Sequence, residues 1–361
     1  MKILYITTIG GTMDFFTDLI FELIREGNLV DIATNETLSP VNICYREWGC
    51  RVHPISCTRS PFHPGSLKAI QEIRTIVAEN HYDVVHCHTP IAAMCTRLAC
   101  RPLRKKGVKV IYTAHGFHFY KGAPLKNWLL YYPMEKLCSY FTDLLITINR
   151  EDYVLAQKKL KAKRVEYVPG VGIDVDKFRD VIVDRAMKRR EIGIPEDAVL
   201  LLSVGELNHN KNHEMVIRAI AEMEVYYVIA GRGNLQKYLQ ELIDDLGITH
   251  RVKLLGFRTD IAELCKTADM LVFPSIREGL PVSLMEAMAC GMPIACTRIR
   301  GNVDLIDENG GILFDSSSIE ACRAAIEKIM QTDMQEKGQY NLMKVKAFSK
   351  EKVIDTMKNC Y

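Results

Sequence analysis

Twice along this chain, short runs of aliphatic and β-branched residues alternate with longer stretches of helical pattern. The first series reads as strands near 2–7, 29–34, 51–55, 82–87, 108–113 and 143–148, the second as strands near 199–204, 225–230, 251–256, 269–273, 293–296 and 312–314. A strand apolar on both faces has to be covered on both, and a parallel neighbour is reached only through a crossover. The alternation therefore predicts two parallel sheets, each sheathed by helices. A chain of 361 residues is long for one core and fits two domains. The expected class is α/β, with two Rossmann-like doubly wound domains facing each other across a cleft. Pro and Gly punctuate the pattern at Val168-Pro-Gly-Val-Gly-Ile-Asp174. Domains are accordingly placed at 1–172 and 173–345, and the helical segment 346–361 is read as crossing back to the first.

Composition narrows the function. Hydrophobic residues make up 48% of the chain and charged residues 25%, and no apolar run is long enough to cross a bilayer as a helix. Met-Lys-Ile-Leu-Tyr-Ile-Thr-Thr reads as a first strand, not a signal peptide, so a cytoplasmic location is expected. Twelve cysteines lie scattered with no Cys-x-x-Cys pair and no Cys/His cluster, which predicts free thiols in a reducing compartment and no metal site. The net charge of +3 is uneven: residues 1–172 hold 22 Lys/Arg against 15 Asp/Glu, or +7, and residues 173–361 hold 25 against 29, or −4. The basic half suits an anionic surface or acceptor, although a solvated loop from Arg101 to Lys109 accounts for much of the excess equally well. No nucleic-acid partner is expected.

The motif richest in chemistry is Phe273-Pro-Ser-Ile-Arg-Glu278-Gly-Leu-Pro-Val-Ser-Leu-Met-Glu286. An apolar strand ends at Pro274, a Gly-Leu-Pro turn follows Glu278, and a helix carries Glu286 on its second turn. Two carboxylates beside a helix N-terminus, at the carboxyl edge of a parallel sheet, suit a polyhydroxylated and phosphorylated ligand. At the first strand's end, Gly10-Gly11 permits close approach of a ligand to the backbone ahead of a helix starting near Asp14. A nicotinamide-dinucleotide fingerprint would need a third glycine and an acid closing strand two, where Thr34-Asn35 stands instead.

These motifs converge. The chain resembles the retaining glycosyltransferases of family 4, which have the GT-B fold and include capsule and exopolysaccharide enzymes. The resemblance runs through Gly10-Gly11, Asp83-Val-Val-His86-Cys-His88-Thr-Pro90, Tyr112-Thr-Ala-His115-Gly116-Phe-His118-Phe119, Val204-Gly205-Glu206-Leu-Asn-His-Asn-Lys211, Leu255-Gly256-Phe257 and the Glu278/Glu286 pair. It implies that Glu278 contacts the donor sugar's hydroxyls and that Glu286 holds the ribose diol. It places Lys211 and the Gly11 N–H on the diphosphate, and His115 on the donor sugar. Gly279, Leu280 and Val282 present backbone N–H groups to sugar or phosphate, while Pro281 removes one donor. Phe257 sits by the base. One departure matters: where many members of the family carry an arginine that helps grip the diphosphate, this chain has Glu206. Lys211 then works alone with helix dipoles, or another cation such as Arg232 enters.

The implied activity is retaining transfer from a nucleoside-diphosphate sugar, a UDP-sugar, to a glycan hydroxyl, with no metal or other cofactor. The implied acceptor is an oligosaccharide or a polyprenyl-diphosphate-linked saccharide in capsule or exopolysaccharide synthesis. A sugar-nucleotide epimerase and a non-catalytic nucleotide-sugar-binding subunit are the alternatives. Asp174-Val-Asp176 has the Asp-x-Asp form of metal sites but lies at the domain boundary. His86, His88 and His118 read more readily as structural than functional, with one of the first two expected to be buried. The stretch Phe117–Leu137 sets aromatics beside Lys121, Lys126 and Lys136, and is read as a surface through which the first domain meets the inner face of the membrane and a lipid-linked acceptor, over the core-helix alternative.

Overall fold

Valine, isoleucine and leucine pack well on a pleated surface, and in this chain they form strands short enough for each to lie wholly inside a sheet. The computed structural model describes residues 1–58, 60 and 63–361. The chain divides into two units, Met1–Val171 with Val353–Tyr361, and Gly172–Lys352.

The first unit contains β1 (Lys2–Ile9), β2 (Leu29–Asn35), β3 (Val52–Pro54), β4 (Val84–His88), β5 (Lys109–Ala114), β6 (Leu144–Thr147) and β7 (Arg164–Tyr167). All pair in parallel, in the order β3-β2-β1-β4-β5-β6-β7. The period-two alternation of a strand sorts β1 between two faces. Leu4 and Ile6 pack with Ala69, Ile73 and Ala92 from the helices Pro64–Asn80 and Pro90–Cys100. Ile3 and Tyr5 pack on the other face with Ile20 and Leu23 of helix Thr17–Arg25, and with Val353 and Met357 of helix Lys350–Lys358. The end of the chain is thus part of the first unit's core.

The second unit holds β8 (Leu200–Val204), β9 (Tyr226–Ala230), β10 (Val252–Gly256), β11 (Met270–Phe273), β12 (Ile294–Thr297) and β13 (Gly311–Phe314), all parallel, in the order β10-β9-β8-β11-β12-β13. Both units are Rossmann-like. In each, the order reverses beside the first strand, at β1/β4 and at β8/β11.

Two elements differ from the sequence reading. β7 was not anticipated: Arg164-Val-Glu-Tyr is a half-exposed edge strand whose charges hide the apolar signal. Residues 10–16 form a 3-10 helix, and the α-helix begins only at Thr17, not near Asp14. The Gly10 N–H bonds Ser39 O at 3.0 Å, and a Cβ on Gly10 would lie 2.4 Å from the Pro40 carbonyl carbon, so the turn is pressed against the 39–41 loop.

One buried ion pair ties helix Leu125–Ser139 to helix Pro90–Cys100. Arg97 and Glu135, 1% and 3% exposed, form a bidentate pair at 2.8 and 3.1 Å, with the guanidinium 4.3 Å from the centre of the Tyr112 ring. Removing one partner strands the other charge in the core. Glu135→Ala is expected to destabilise the protein by about 3–5 kcal/mol, and the Arg97→Met/Glu135→Leu double variant by clearly less. Chemical denaturation of the three proteins checks this; equal losses would mean that the charge pairing is not what matters.

Candidate active site

In the second unit, β11 is fully buried and runs into Pro274, after which the backbone leaves the sheet. Glu278 lies in this loop. The helix Val282–Ala289 starts after Pro281, which offers no side-chain cap, so the N–H groups of the first turn have no partner within the helix. Lys211 comes from the loop that follows β8. Its Nζ is 2.7 Å from Glu278 Oε1 and 4.9 Å from the centre of the Phe273 ring, with the two charged side chains only 20% and 14% exposed. A Cβ at Gly205 would come within 3.2 Å of the Lys211 stem, so a glycine there clears the path along which the lysine runs. The Lys211 N–H donates to Asn208 Oδ1 at 3.0 Å, and the left-handed Asn212 then starts helix His213–Ala219.

Glu206 accepts a bond from the Asn208 side chain at 2.7 Å. Its neighbour Leu207 donates N–H to Arg232 O at 3.0 Å, so the Glu206 loop and the Arg232 loop lie side by side. Arg232 is stacked over Phe257, 5.2 Å from the ring centre, and Phe257 is 62% exposed. Lys211 with Glu278 and Arg232 with Phe257 are thus the pairs the fold brings into direct contact. Burial pushes the Glu286 carboxyl above its usual range, with Lys177 opposing the shift. Gly279, Leu280 and Val282 occupy the turn and helix start beside Glu278.

Sequence reading missed Arg300. It is 5% exposed, and its Nε donates to the Glu278 main-chain oxygen at 3.1 Å. Gly301 beside it adopts φ +77°, where a Cβ would lie 2.3 Å from Gly279 O. The loop after β12 therefore braces the Glu278 loop. A Gly after Arg at the carboxyl end of the adjacent strand was the available signal.

In the first unit, Gly11 follows β1 and His115 follows β5. His115 Nε2 is 3.2 Å from His88 Nδ1. His86 and His88 are both fully buried, not one of them, because residues two apart on a strand share a face. His86 bonds Tyr361 OH at 2.6 Å and Thr113 Oγ1 at 2.8 Å. His88 stacks on Phe16, with ring centres 4.1 Å apart, and its Nε2 has no partner among the described residues. Burial lowers the pKa of His86 to about 3 and of His115 to about 4, and holds His88 well below its usual value.

Asp174 caps a helix by accepting from the Lys177 N–H at 3.0 Å, and Asp176 pairs with Arg179 at 2.8 Å, which are structural roles. In Phe117–Leu137 the aromatics face inward: Phe117 and Phe119 are buried, and Trp128 and Tyr132 pack on the core. The leucines are what this segment exposes.

Residues 184–344 match the family model of glycosyl transferases group 1, and residues 2–149 that of the glycosyl transferase 4-like domain. The chain is 38% identical over 317 residues to a Bacillus subtilis (strain 168) protein named as glycosyltransferase EpsD, covering 85% of this chain and 83% of that one. It is 27% identical over 310 residues to the Escherichia coli UDP-Gal:alpha-D-GlcNAc-diphosphoundecaprenol alpha-1,3-galactosyltransferase, covering 82% and 79%. Among solved structures, Anabaena HepE in complex with UDP and glucose superposes with a TM-score of 0.79 at 20% identity, over 100% of this chain and 99% of that one. A sucrose-phosphate synthase from Thermosynechococcus elongatus gives 0.81 at 20% identity, over 100% and 98%. At such identity these two structures speak to the fold alone.

The histidines of the first unit make stability depend on pH. Their folded pKa values lie below the unfolded value of about 6.5, so on acidification the unfolded chain takes up protons that the folded chain refuses. Their contribution is complete above about pH 6.5 and is lost as pH falls, by up to about 1.4 kcal/mol per histidine per pH unit. Melting temperature is expected to drop between about pH 7 and about pH 5, and less steeply in His86→Gln. Thermal melts across that range check it; parallel curves for the two proteins would remove His86 from the account.

Proposed function

This chain belongs to the glycosyltransferases that join a glycosyl transferase 4-like domain to a group 1 domain on the two-sheet GT-B fold, and on that basis we propose that it moves a sugar from a nucleoside-diphosphate sugar, a UDP-sugar, to a hydroxyl of a glycan acceptor with retention of configuration. The observation that carries the reading is the Lys211–Glu278 pair at the carboxyl edge of β11, beside the open N-terminus of helix Val282–Ala289. A cation, a carboxylate and free N–H groups together match a ligand that is anionic at one end and polyhydroxylated at the other.

In this proposal the donor's diphosphate takes Lys211 as its cation, and its sugar hydroxyls take Glu278. Glu286 binds the ribose diol and Phe257 flanks the base. Gly279, Leu280 and Val282 offer N–H groups along the donor. Gly11 and His115 keep the roles the resemblance gives them, on the diphosphate and the donor sugar. His115 is neutral at ordinary pH, so it acts through hydrogen bonds, not charge. The second cation is Arg232, whose loop lies beside that of Glu206. The acceptor oxygen attacks the anomeric carbon on the face from which the diphosphate departs. The bond from that carbon to the phosphate oxygen breaks, and the leaving phosphate accepts the acceptor's proton. No metal is part of the proposal: Lys211, Arg232 and helix N-termini stabilise the charge that develops.

The proposed acceptor is a polyprenyl-diphosphate-linked saccharide in exopolysaccharide or capsule synthesis, and the name of the Escherichia coli relative supports the polyprenyl-diphosphate link. So does the outer face of helix Leu125–Ser139. Glu135 fixes that helix from within, which leaves Leu125, Leu129 and Leu137 at 73%, 70% and 56% exposure, beside the exposed Lys126 and Lys136. Leucines flanked by lysines suit the headgroup region of an anionic bilayer, so the first unit is proposed as a peripheral membrane contact at the inner face. No helix among the described residues is long and apolar enough to cross a membrane.

Incubation with a panel of nucleotide sugars in EDTA, read by mass spectrometry, tests the donor reading. Slow hydrolysis of a UDP-sugar is expected, abolished by Glu278→Ala; release of an epimeric nucleotide sugar would refute a transferase. Lys211→Ala is expected to lower kcat by roughly 10²-fold or more, and an unchanged rate would move the role to Arg232. For the membrane, sedimentation with anionic phosphatidylglycerol vesicles is expected, and a Leu125→Asp/Leu129→Asp variant should stay in the supernatant. Equal sedimentation of the variant would discard this face.

A further inference from the structure

The peptide that joins Gly205 to Glu206 leaves β8 at its carboxyl end, between β9 on one side and β11 on the other. The Gly205 N–H donates to Ala230 O of β9 at 3.0 Å, and the Leu207 N–H donates to Arg232 O on the same side. The Gly205 oxygen also faces that side, because a Cβ on Gly231 would collide with it. A trans peptide sets its C=O and N–H in opposite directions, so the Glu206 N–H points toward β11. There β11 has already left the sheet: it pairs with β8 at Leu201 and Leu202 and ends at Phe273. The Glu206 N–H has no main-chain partner among the described residues. It faces the crevice of the β8/β11 reversal, the side on which Lys211 meets Glu278.

A buried imidazole lies behind this peptide. His213, 3% exposed, opens helix His213–Ala219, and the Gly205 and Glu206 carbonyls face its ring. Burial lowers its pKa to about 4, so at ordinary pH the ring carries one N–H and one lone pair. Neither ring nitrogen has a hydrogen-bond partner among the described residues. The Glu206 oxygen already accepts the Asn208 N–H at 3.0 Å, whereas the Gly205 oxygen accepts no main-chain bond among those residues. An orphaned N–H in the core is costly, and the Gly205 carbonyl is the acceptor left open to it. The Glu206 side chain stands apart from this arrangement, held by Asn208 at 2.7 Å, and its charge would repel an anion.

We infer that the Glu206 main-chain N–H binds a phosphate oxygen of the donor, and that His213 is the positioning residue that holds its peptide. A phosphate draws the N–H outward, and the Gly205 C=O at the other end of the peptide settles on the His213 N–H. Each bond polarises the peptide and strengthens the other. The backbone then supplies at residue 206 what the acidic side chain there cannot, a donor to an anion. The inference rests on the nucleotide-sugar reading of this site.

Titration of the full chain with UDP, and with uridine, which lacks the phosphates, tests it. His213→Leu keeps the bulk and removes the donor. It should weaken UDP binding by about tenfold and leave uridine binding unchanged. His213→Asn and His213→Gln place an amide N–H near the positions of Nδ1 and Nε2, and one of the two should restore the affinity for UDP. In wild-type protein labelled with 15N-glutamate, the Glu206 amide signal is assigned by its absence in Glu206→Gln. It should move downfield on adding UDP and stay in place on adding uridine, a readout that holds even where a His213 variant does not fold. Unchanged UDP affinity in His213→Leu, equal losses for UDP and uridine, or a Glu206 signal that UDP leaves in place would each overturn the inference alone. A wild type that binds no UDP would instead overturn the donor reading, and this inference with it.

Discussion

Parallel strands cannot be joined by a tight turn, so within each sheet of this protein successive strands are joined by crossovers that bring the chain back to the edge where the previous strand began. All the carboxyl ends therefore lie together. That constraint gathers the Gly11 turn, Thr89 and His115 on one sheet, and the Gly205–Lys211 loop, Arg232, Glu278 and Arg300 on the other, across gaps of tens of residues in sequence. The apolar strands carry no chemistry themselves; they fix where the loops that carry it begin.

On the second sheet, backbone proximity sets the electrostatics. Glycine at 205 leaves room for the Lys211 stem, and glycine at 301 lets the loop after β12 touch the loop of Glu278. Arg300 holds the Glu278 backbone while Lys211 holds its carboxylate. Lysine and glutamate are each other's partner, in a setting only 20% and 14% exposed. A ligand that separates them must replace both interactions, and one with an anion at one end and hydroxyls at the other does so.

On the first sheet the polar groups lie deeper. Arg97 and Glu135 form a pair closed to water, and the histidines stay neutral because no compensating anion accompanies them. The same buried pair fixes one helix that offers leucines to the outside and packs Trp128 and Tyr132 on the core.

The sequence by itself determined the architecture. Short continuous apolar runs such as Met270–Phe273, bounded by turn signals and alternating with helical stretches, read as strands covered on both faces, and Glu278 falls where such a strand ends. It could not determine which face of Phe117–Leu137 points inward, because aromatics beside lysines satisfy a core helix and a surface helix alike. Nor could it show that β7 exists, since an edge strand buries too little to demand an apolar pattern. Both histidines of β4 being buried, Arg300 bracing Glu278 and the stack of His118 on Tyr131 were decided by tertiary structure alone. Arg300 and Glu278 come from separate crossovers, and no periodicity along the chain records which crossovers become neighbours.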